Sequence, residues 1–395
     1  MIGISKLYLG TIEPSDALRY GRHSGKLPSH LLQFSADKKP VVVWNCTRRC
    51  NLACIHCYAG SNVGCTAADD LSHAEALALI DDLARFGAPV LLFSGGEPLM
   101  RPDLPELARR AVAAGMRAVV STNGTLIDDA MAVRLKEAGI SYAGISLDGL
   151  EATHDHFRGV RGSFRRTLEG IRACQRAGLK VGLRLTITRH NVDEIPGIFA
   201  LMKAENIPRV CFYHLVYSGR GAAMMADDLD LAGTRRAVDM IIDQTVALQA
   251  SGHPAEVLTV DNHSDGPYLY LRMLREGNPR AEKVLELLRM NGGNSTGLGI
   301  GCISWNGDVH PDQFWREKIL GNLRDRPFSE IWNDPANEFL AKLKEKRKYV
   351  TGRCATCRFL DICGGNFRAR AEAVTGDLWA PDPACYLTDE EIAKV

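Results

Sequence analysis

The chain has 395 residues, enough for two or three domains at about 150 residues each. With 46% hydrophobic and 24% charged residues it can bury a large core, which excludes disorder for the bulk of it. Its 48 Lys+Arg against 47 Asp+Glu leave a formal net charge of +1, so no overall basic field draws it to nucleic acid or anionic lipid.

The N-terminal stretch MIGISKLYLGTIEPSDALRYGR has no basic segment followed by an apolar run and a small-residue cleavage site. No apolar run approaches the roughly 20 residues of a membrane-spanning helix. The expected location is therefore the cytoplasm, where the 12 cysteines are expected to bind metal or carry chemistry rather than form disulfides. Residues 1–40 read as an N-terminal extension.

Six β-rich runs follow: Val41 to Asn45, Pro89 to Ser94, Arg117 to Thr122, Tyr142 to Leu147, Lys180 to Ile187 and Arg209 to Leu215. Each is short, apolar and followed by a turn-rich loop, as suits a parallel strand buried on both faces. Helical spacing lies between them, as at Leu77, Ile80 and Leu83, and at Phe164, Leu168 and Ile171. Residues 41–222 are thus predicted to form an α/β core, a partial (β/α)6 barrel with functional loops at the strand C-termini. Residues 223–300 read as a mainly helical connector. Residues 301–395 are rich in Gly, Pro, Trp and cysteine with little periodicity. They are expected to form a metal-stapled auxiliary domain, because such a stretch buries too little apolar surface alone.

Immediately after the first strand comes TRRCNLACIHCYAG, where Cys50, Cys54 and Cys57 make a C-x3-C-x2-C loop. Three thiolates on one loop can hold three irons of a 4Fe–4S cluster and leave the fourth open to substrate or cofactor. A zinc site completed by His56 or Cys46 is the alternative. Cys46 would also permit a closed four-thiolate cluster, but at the strand end it reads as a buried small hydrophobe.

The loop, its place after the first strand and the six β/α units together resemble the radical S-adenosylmethionine (SAM) enzymes, whose signature is C-x3-C-x-aromatic-C; His56 stands at the aromatic position. Gly95-Gly96-Glu97-Pro98 after the second strand is similar to the family's methionine-binding motif. The resemblance implies that backbone at Gly95, Gly96 and Glu97 receives the methionine amino group. It also implies that Asn123, Ser146 and Asp148 line the ribose and carboxylate with a basic residue, for which Arg158 and Arg184 are candidates. Turn formation would equally explain Asn123 and Asp148, and surface or capping roles the arginines. The implied chemistry is reductive cleavage of SAM to a 5'-deoxyadenosyl radical that abstracts hydrogen from an unactivated carbon.

Farther on, Cys354, Cys357 and Cys363 read C-x2-C-x5-C, with Cys385 as a single distal cysteine. This resembles the SPASM auxiliary-cluster extension, which in full uses seven cysteines for two clusters. Here Asp312 and Phe367 stand where cysteines belong, so the nearer auxiliary cluster, of which only Cys302 remains, is expected to be absent. Cys354, Cys357, Cys363 and Cys385 are expected to hold a closed 4Fe–4S cluster that relays electrons or anchors the domain; a four-cysteine zinc site is the alternative. Cys65, Cys174 and Cys211 read as spectators.

The N-terminal stretch, the first cysteine loop and the thinned auxiliary domain ending CGGNFRARAE resemble the tetrapyrrole-modifying branch of the family. That branch works in haem and haem d1 formation. The resemblance implies removal of two acetate side chains from 12,18-didecarboxysiroheme, an iron tetrapyrrole, giving Fe-coproporphyrin III, with a ferredoxin- or flavodoxin-type electron donor. Alternatives are a haem d1 or Fe-coproporphyrin-decarboxylating enzyme of the same branch, a peptide maturase, and a non-catalytic electron carrier. A polycarboxylate needs cations, for which Arg19, Arg22, Arg48, Arg49, Arg158 and Arg161 are candidates. A histidine could ligate the substrate iron, from among His23, His154, His156, His214 and His310.

Overall fold

The computed structural model describes residues 1–12 and 39–393. Eleven strands form one sheet among them: β1 (Ile2–Gly3), β2 (Val41–Asn45), β3 (Val90–Ser94), β4 (Arg117–Thr122), β5 (Ala143–Ser146), β6 (Val181–Ile187), β7 (Arg209–His214), β8 (Glu256–Val260), β9 (Ile300–Ile303), β10 (Asp308–His310) and β11 (Gly321–Asn322). Their order across the sheet is β1-β8-β7-β6-β5-β4-β3-β2-β9-β10-β11. β2 to β8 run parallel in chain order, so each strand, loop and helix unit returns beside its predecessor. The sheet stays open, as an α/β fold of partial-barrel type requires.

The six expected strands are present, within a residue or so of the predicted ends. Two parallel strands extend them. β8 pairs with β7 from inside the stretch read as a helical connector, and β9 pairs with β2 from the start of the cysteine-bearing segment. The rest of residues 223–300 carries the helices Leu231–Ala250, Asp265–Arg275 and Ala281–Asn291. β1 covers the β8 edge in antiparallel register, Ile2 opposite Thr259, which leaves no bare ladder there.

Local rules explain the covering helices. The helix His73–Phe86 opens on a capping box: Ser72 accepts from the Glu75 amide at 3.3 Å, and the Glu75 carboxylate accepts from the Ser72 amide at 2.7 Å. It stops at Gly87, left-handed at φ 85°. Its Ile80 and Leu83, with Leu168 and Ile171 of the helix Ser163–Arg176, are buried on the sheet as their spacing foretold.

Candidate active site at the strand C-termini

The carboxyl ends of β2 to β8 open into one cavity of about 1040 Å³, part of it open to solvent. Loops leaving parallel strands carry functional groups in such folds because the scaffold fixes them while the sheet core stays apolar. The loop after β2 brings Cys50, Cys54 and Cys57 to the wall, and the loop after β3 brings Gly95 and Gly96. Asn123, Ser146, Asp148, Arg158 and Arg184 line it as well.

The two glycines are required by a close backbone approach. A β-carbon on Gly96 would stand 2.1 Å from the Arg49 carbonyl oxygen, and one on Gly95 2.5 Å from that of Thr47. Gly95 also has φ 132°, where side chains strain the backbone. The cysteine loop lies directly on these residues: the Gly96 amide donates to Thr47 O at 2.9 Å and the Glu97 amide to Arg49 O at 2.8 Å. Glu97 and Pro98 stand behind the wall. Wholly buried Glu97 accepts from Thr122 Oγ1 at 2.7 Å and from the Asn123 and Leu99 amides at 2.8 and 3.1 Å. Burial pushes its carboxyl pKa up against these bonds. It therefore locks the β3 and β4 loops together. Asn123 reaches the cysteine loop, donating from Nδ2 to Asn51 Oδ1 at 2.8 Å.

Arg158 ties the thiols to the β5 loop. Its guanidinium pairs with Asp148 Oδ2 and donates to Cys54 Sγ at 3.5 Å. Burial would raise the Asp148 carboxyl, but Arg158 and His56, the latter at 3.4 Å, hold it below the ordinary carboxylate range. Arg184 donates to Ser121 Oγ at 2.8 Å. Burial pushes the Cys50 thiol up to about 12 and also raises Cys54, with neighbouring thiols adding to both. Such thiols ionise when a metal supplies the opposing charge, so a cationic iron–sulfur cluster suits this donor set.

Cys46 is wholly buried, bonds the Ser94 carbonyl at 3.4 Å and does not line the cavity. Cys174 and Cys211 are buried core residues, and Cys65 turns to Asn62 Oδ1 at 3.7 Å. Among the described residues, Arg158 is the one arginine read as a carboxylate partner that reaches the cavity. Arg48 and Arg161 are exposed, and Arg49 donates to the Met100 carbonyl. Arg19, Arg22 and His23 lie outside the described residues. Sequence reasoning missed Tyr58, Thr186, Tyr213, Asp261, Gln313 and Phe314 on the wall. Asp261 follows β8, so no signal marks it until that strand is recognised.

Cys354, Cys357, Cys363 and Cys385 form the second group. Burial pushes Cys363 up to about 12, and Cys385, Cys357 and Cys354 add to that shift. Loop 292–294 packs on the Cys363 backbone, with the Asn294 amide donating to Cys363 O at 3.0 Å and no room for a β-carbon on Gly293. Among the described residues no three His, Cys, Asp or Glu side chains are gathered to hold a single metal ion. The positions of the missing cysteines are filled. Asp312 accepts from Thr296 Oγ1 at 2.6 Å and the Phe314 amide at 2.9 Å, and Phe367 packs on the Phe314 ring.

A parallel sheet whose strand ends gather a three-cysteine loop against a glycine turn, with a second cysteine set downstream, defines a cluster-bearing α/β enzyme. Residues 44–202 match the radical SAM superfamily and residues 299–358 match SPASM, an iron–sulfur cluster-binding domain. The chain is 62% identical over 395 residues to the Fe-coproporphyrin III synthase of Methanosarcina barkeri, covering 99% of each. It is 44% identical to the pre-heme d1 synthase of Dinoroseobacter shibae, covering 89% of this chain and 87% of that one. Streptococcus suis SuiB bound to S-adenosylmethionine shares the fold, with TM-score 0.69 at 18% identity, covering 88% of this chain and 77% of that one. The chain belongs to the radical SAM superfamily, in its SPASM-bearing, tetrapyrrole-modifying branch. Its cofactors are S-adenosylmethionine and two 4Fe–4S clusters. No helix among the described residues is long and apolar enough to cross a membrane.

Proposed function

We propose that this enzyme removes the two acetate side chains of 12,18-didecarboxysiroheme to give Fe-coproporphyrin III, in the cytoplasm, with a ferredoxin- or flavodoxin-type protein as electron donor. The observation that carries the reading is the 62% identity along 99% of both chains to an enzyme named for making that product.

In this reading Cys50, Cys54 and Cys57 hold the first 4Fe–4S cluster and leave one iron without a protein thiolate. Bound there, S-adenosylmethionine supplies a 5'-deoxyadenosyl radical for hydrogen abstraction. Gly95 and Gly96 offer backbone to its amino group, and buried Glu97, with Pro98 beside it, keeps that turn fixed. Asn123, Ser146, Asp148 and Arg184 line the cofactor's remaining polar groups. Arg158 steadies Cys54 and neutralises Asp148, so the wall beside the cluster carries no uncompensated carboxylate. Cys354, Cys357, Cys363 and Cys385 hold a second, closed cluster. The nearer auxiliary cluster is absent, its place taken by Asp312 and Phe367.

Anaerobic incubation with 12,18-didecarboxysiroheme, S-adenosylmethionine and dithionite tests the proposal. Mass spectrometry should show Fe-coproporphyrin III accumulating with 5'-deoxyadenosine. Unchanged tetrapyrrole beside 5'-deoxyadenosine formation would overturn the substrate assignment. The 44% identity to a pre-heme d1 synthase favours a second reading, side-chain removal on the haem d1 route, and the product mass separates the two.

A further inference from the structure

We infer that His214 is the axial ligand to the iron of the tetrapyrrole, binding it through Nδ1. The inference rests on the reading of the substrate as an iron tetrapyrrole and adds a residue to it.

His214 is the last residue of β7 and lines the cavity at the same strand ends as the cysteine loop. Its Nε2 lies 2.9 Å from Asp265 Oδ2. Asp265 is wholly buried in the first turn of the helix Asp265–Arg275, and its other oxygen accepts from Tyr386 Oη at 2.7 Å. A carboxylate held at both oxygens fixes the imidazole: Nε2 carries the proton and donates it to Asp265, and Nδ1 keeps a lone pair. Nδ1 has no hydrogen-bond partner among the described residues, and it is absent from their sealed, unpartnered polar atoms. It therefore opens on the cavity.

This is the arrangement metal-ligating histidines use. The second nitrogen donates to a carboxylate, which sets the ring's orientation and raises the basicity of the nitrogen that meets the metal. Among the described residues, the other histidines considered for this role, and His56 on the cavity wall, do not offer it. His310 is bonded at both nitrogens, to Ser304 Oγ and Lys318 O at 2.8 and 3.1 Å. His154 is wholly buried and accepts from the Asp148 amide at 3.2 Å. His156 lies on an exposed helix face. His56 reaches the cavity but turns Nε2 to Asp148, and its Nδ1 is sealed.

The C-terminal segment supports the same corner. Tyr386 follows Cys385, and Arg370 donates to the Leu215 carbonyl at 3.1 Å and to the Asp261 carbonyl at 2.9 Å. The ends of β7 and β8 are thus braced from behind, which fits a ring that must hold an iron at a set height above the cofactor.

The test uses the cluster-loaded full chain and Fe-coproporphyrin III as the probe, with resonance Raman in the ferrous state. Wild-type protein should show an iron–imidazole stretch that His214→Ala abolishes and free imidazole restores. Asp265→Asn should keep the stretch at lower frequency and weaken binding by about tenfold or more. His214→Gln, which fills the same space, should lose the stretch as His214→Ala does while the protein keeps its full cluster iron content. A bound tetrapyrrole with the same stretch in wild type and both His214 variants would overturn the inference and leave the substrate reading standing. Failure of wild-type protein both to bind the probe and to convert 12,18-didecarboxysiroheme would overturn the substrate reading itself.

Discussion

At Gly96 a single methyl group decides whether the cysteine loop can seat, because the β-carbon would stand 2.1 Å from Arg49 O. Neither backbone can retreat without breaking the amide bonds that join them. Gly96→Ala should therefore lose S-adenosylmethionine binding at the first cluster while the second is kept. Electron paramagnetic resonance of the reduced protein checks this: the spectral change on adding S-adenosylmethionine should vanish. Asp261 gives a second prediction at this scale. Burial pushes its carboxyl up to about 7, against the amino terminus, Arg370 and His214 and with Asp312 adding to the shift. Its folded pKa is raised, so its contribution to stability is full below the ordinary carboxylate range and is lost as pH rises through about 7. Over the upper part of that window the cavity wall gains a negative charge, and binding of a polycarboxylate tetrapyrrole should weaken. Asp261→Asn, whose side chain tolerates φ 67°, should flatten that pH profile in a Fe-coproporphyrin III titration. Cys50, Cys54 and Cys57, and Cys354, Cys357 and Cys363, were legible as two candidate groups from their close spacing, whereas Cys385, 22 residues farther on, was legible only through the family resemblance. Arg158 and Asp148 were legible only as candidates: their ion pair depends on how the loop after β5 and the following helix fold back, and the bond from Arg158 to Cys54 spans 104 residues.

Among the elements, strands with a clear apolar run and a turn after them were legible nearly to the residue. β8 was not: Glu256–Val260 follows Gly252-His253-Pro254 in a stretch dominated by helical spacing, and five residues with three apolar ones among them do not choose between helix and strand. What makes it a strand is pairing, with β7 on one side and β1 on the other. The segment behind it carries a wholly buried ion pair, Arg370 with Asp382, bonded at 2.9 Å through both carboxylate oxygens. Removing one partner strands the other charge away from water. Arg370→Met should destabilise the fold by about 3–5 kcal/mol. Anaerobic chemical denaturation checks it, and adding Asp382→Asn to the same chain should recover part of the loss.

Taken whole, the molecule joins its two cysteine groups through the cavity rather than along the chain. β9 to β11 extend the sheet that carries the first group, and the residue after Cys385 reaches His214 through Asp265. The C-terminal group therefore braces the His214 side of the cavity, while the cysteine loop, the Gly95-Gly96 turn and Glu97 are built on β2 to β4 and tied down by Arg158 and Arg220. Cys385→Ser should separate the two. The intact protein should carry about eight irons per chain, and the variant about four with the first cluster kept. Uncoupled cleavage of S-adenosylmethionine to 5'-deoxyadenosine should continue at the wild-type rate to within about threefold, while conversion of 12,18-didecarboxysiroheme should fall by at least about a hundredfold, as lost positioning does in enzymes. Cys302→Ser should keep all the iron, because in the proposed reading that wholly buried thiol, which accepts from Asn45 Nδ2 at 3.5 Å, belongs to no cluster. Metal analysis by mass spectrometry and product chromatography read all of these from one preparation. About four irons with one zinc in the wild-type chain would overturn the second cluster, and equal losses of cleavage and conversion in Cys385→Ser would overturn the division of labour.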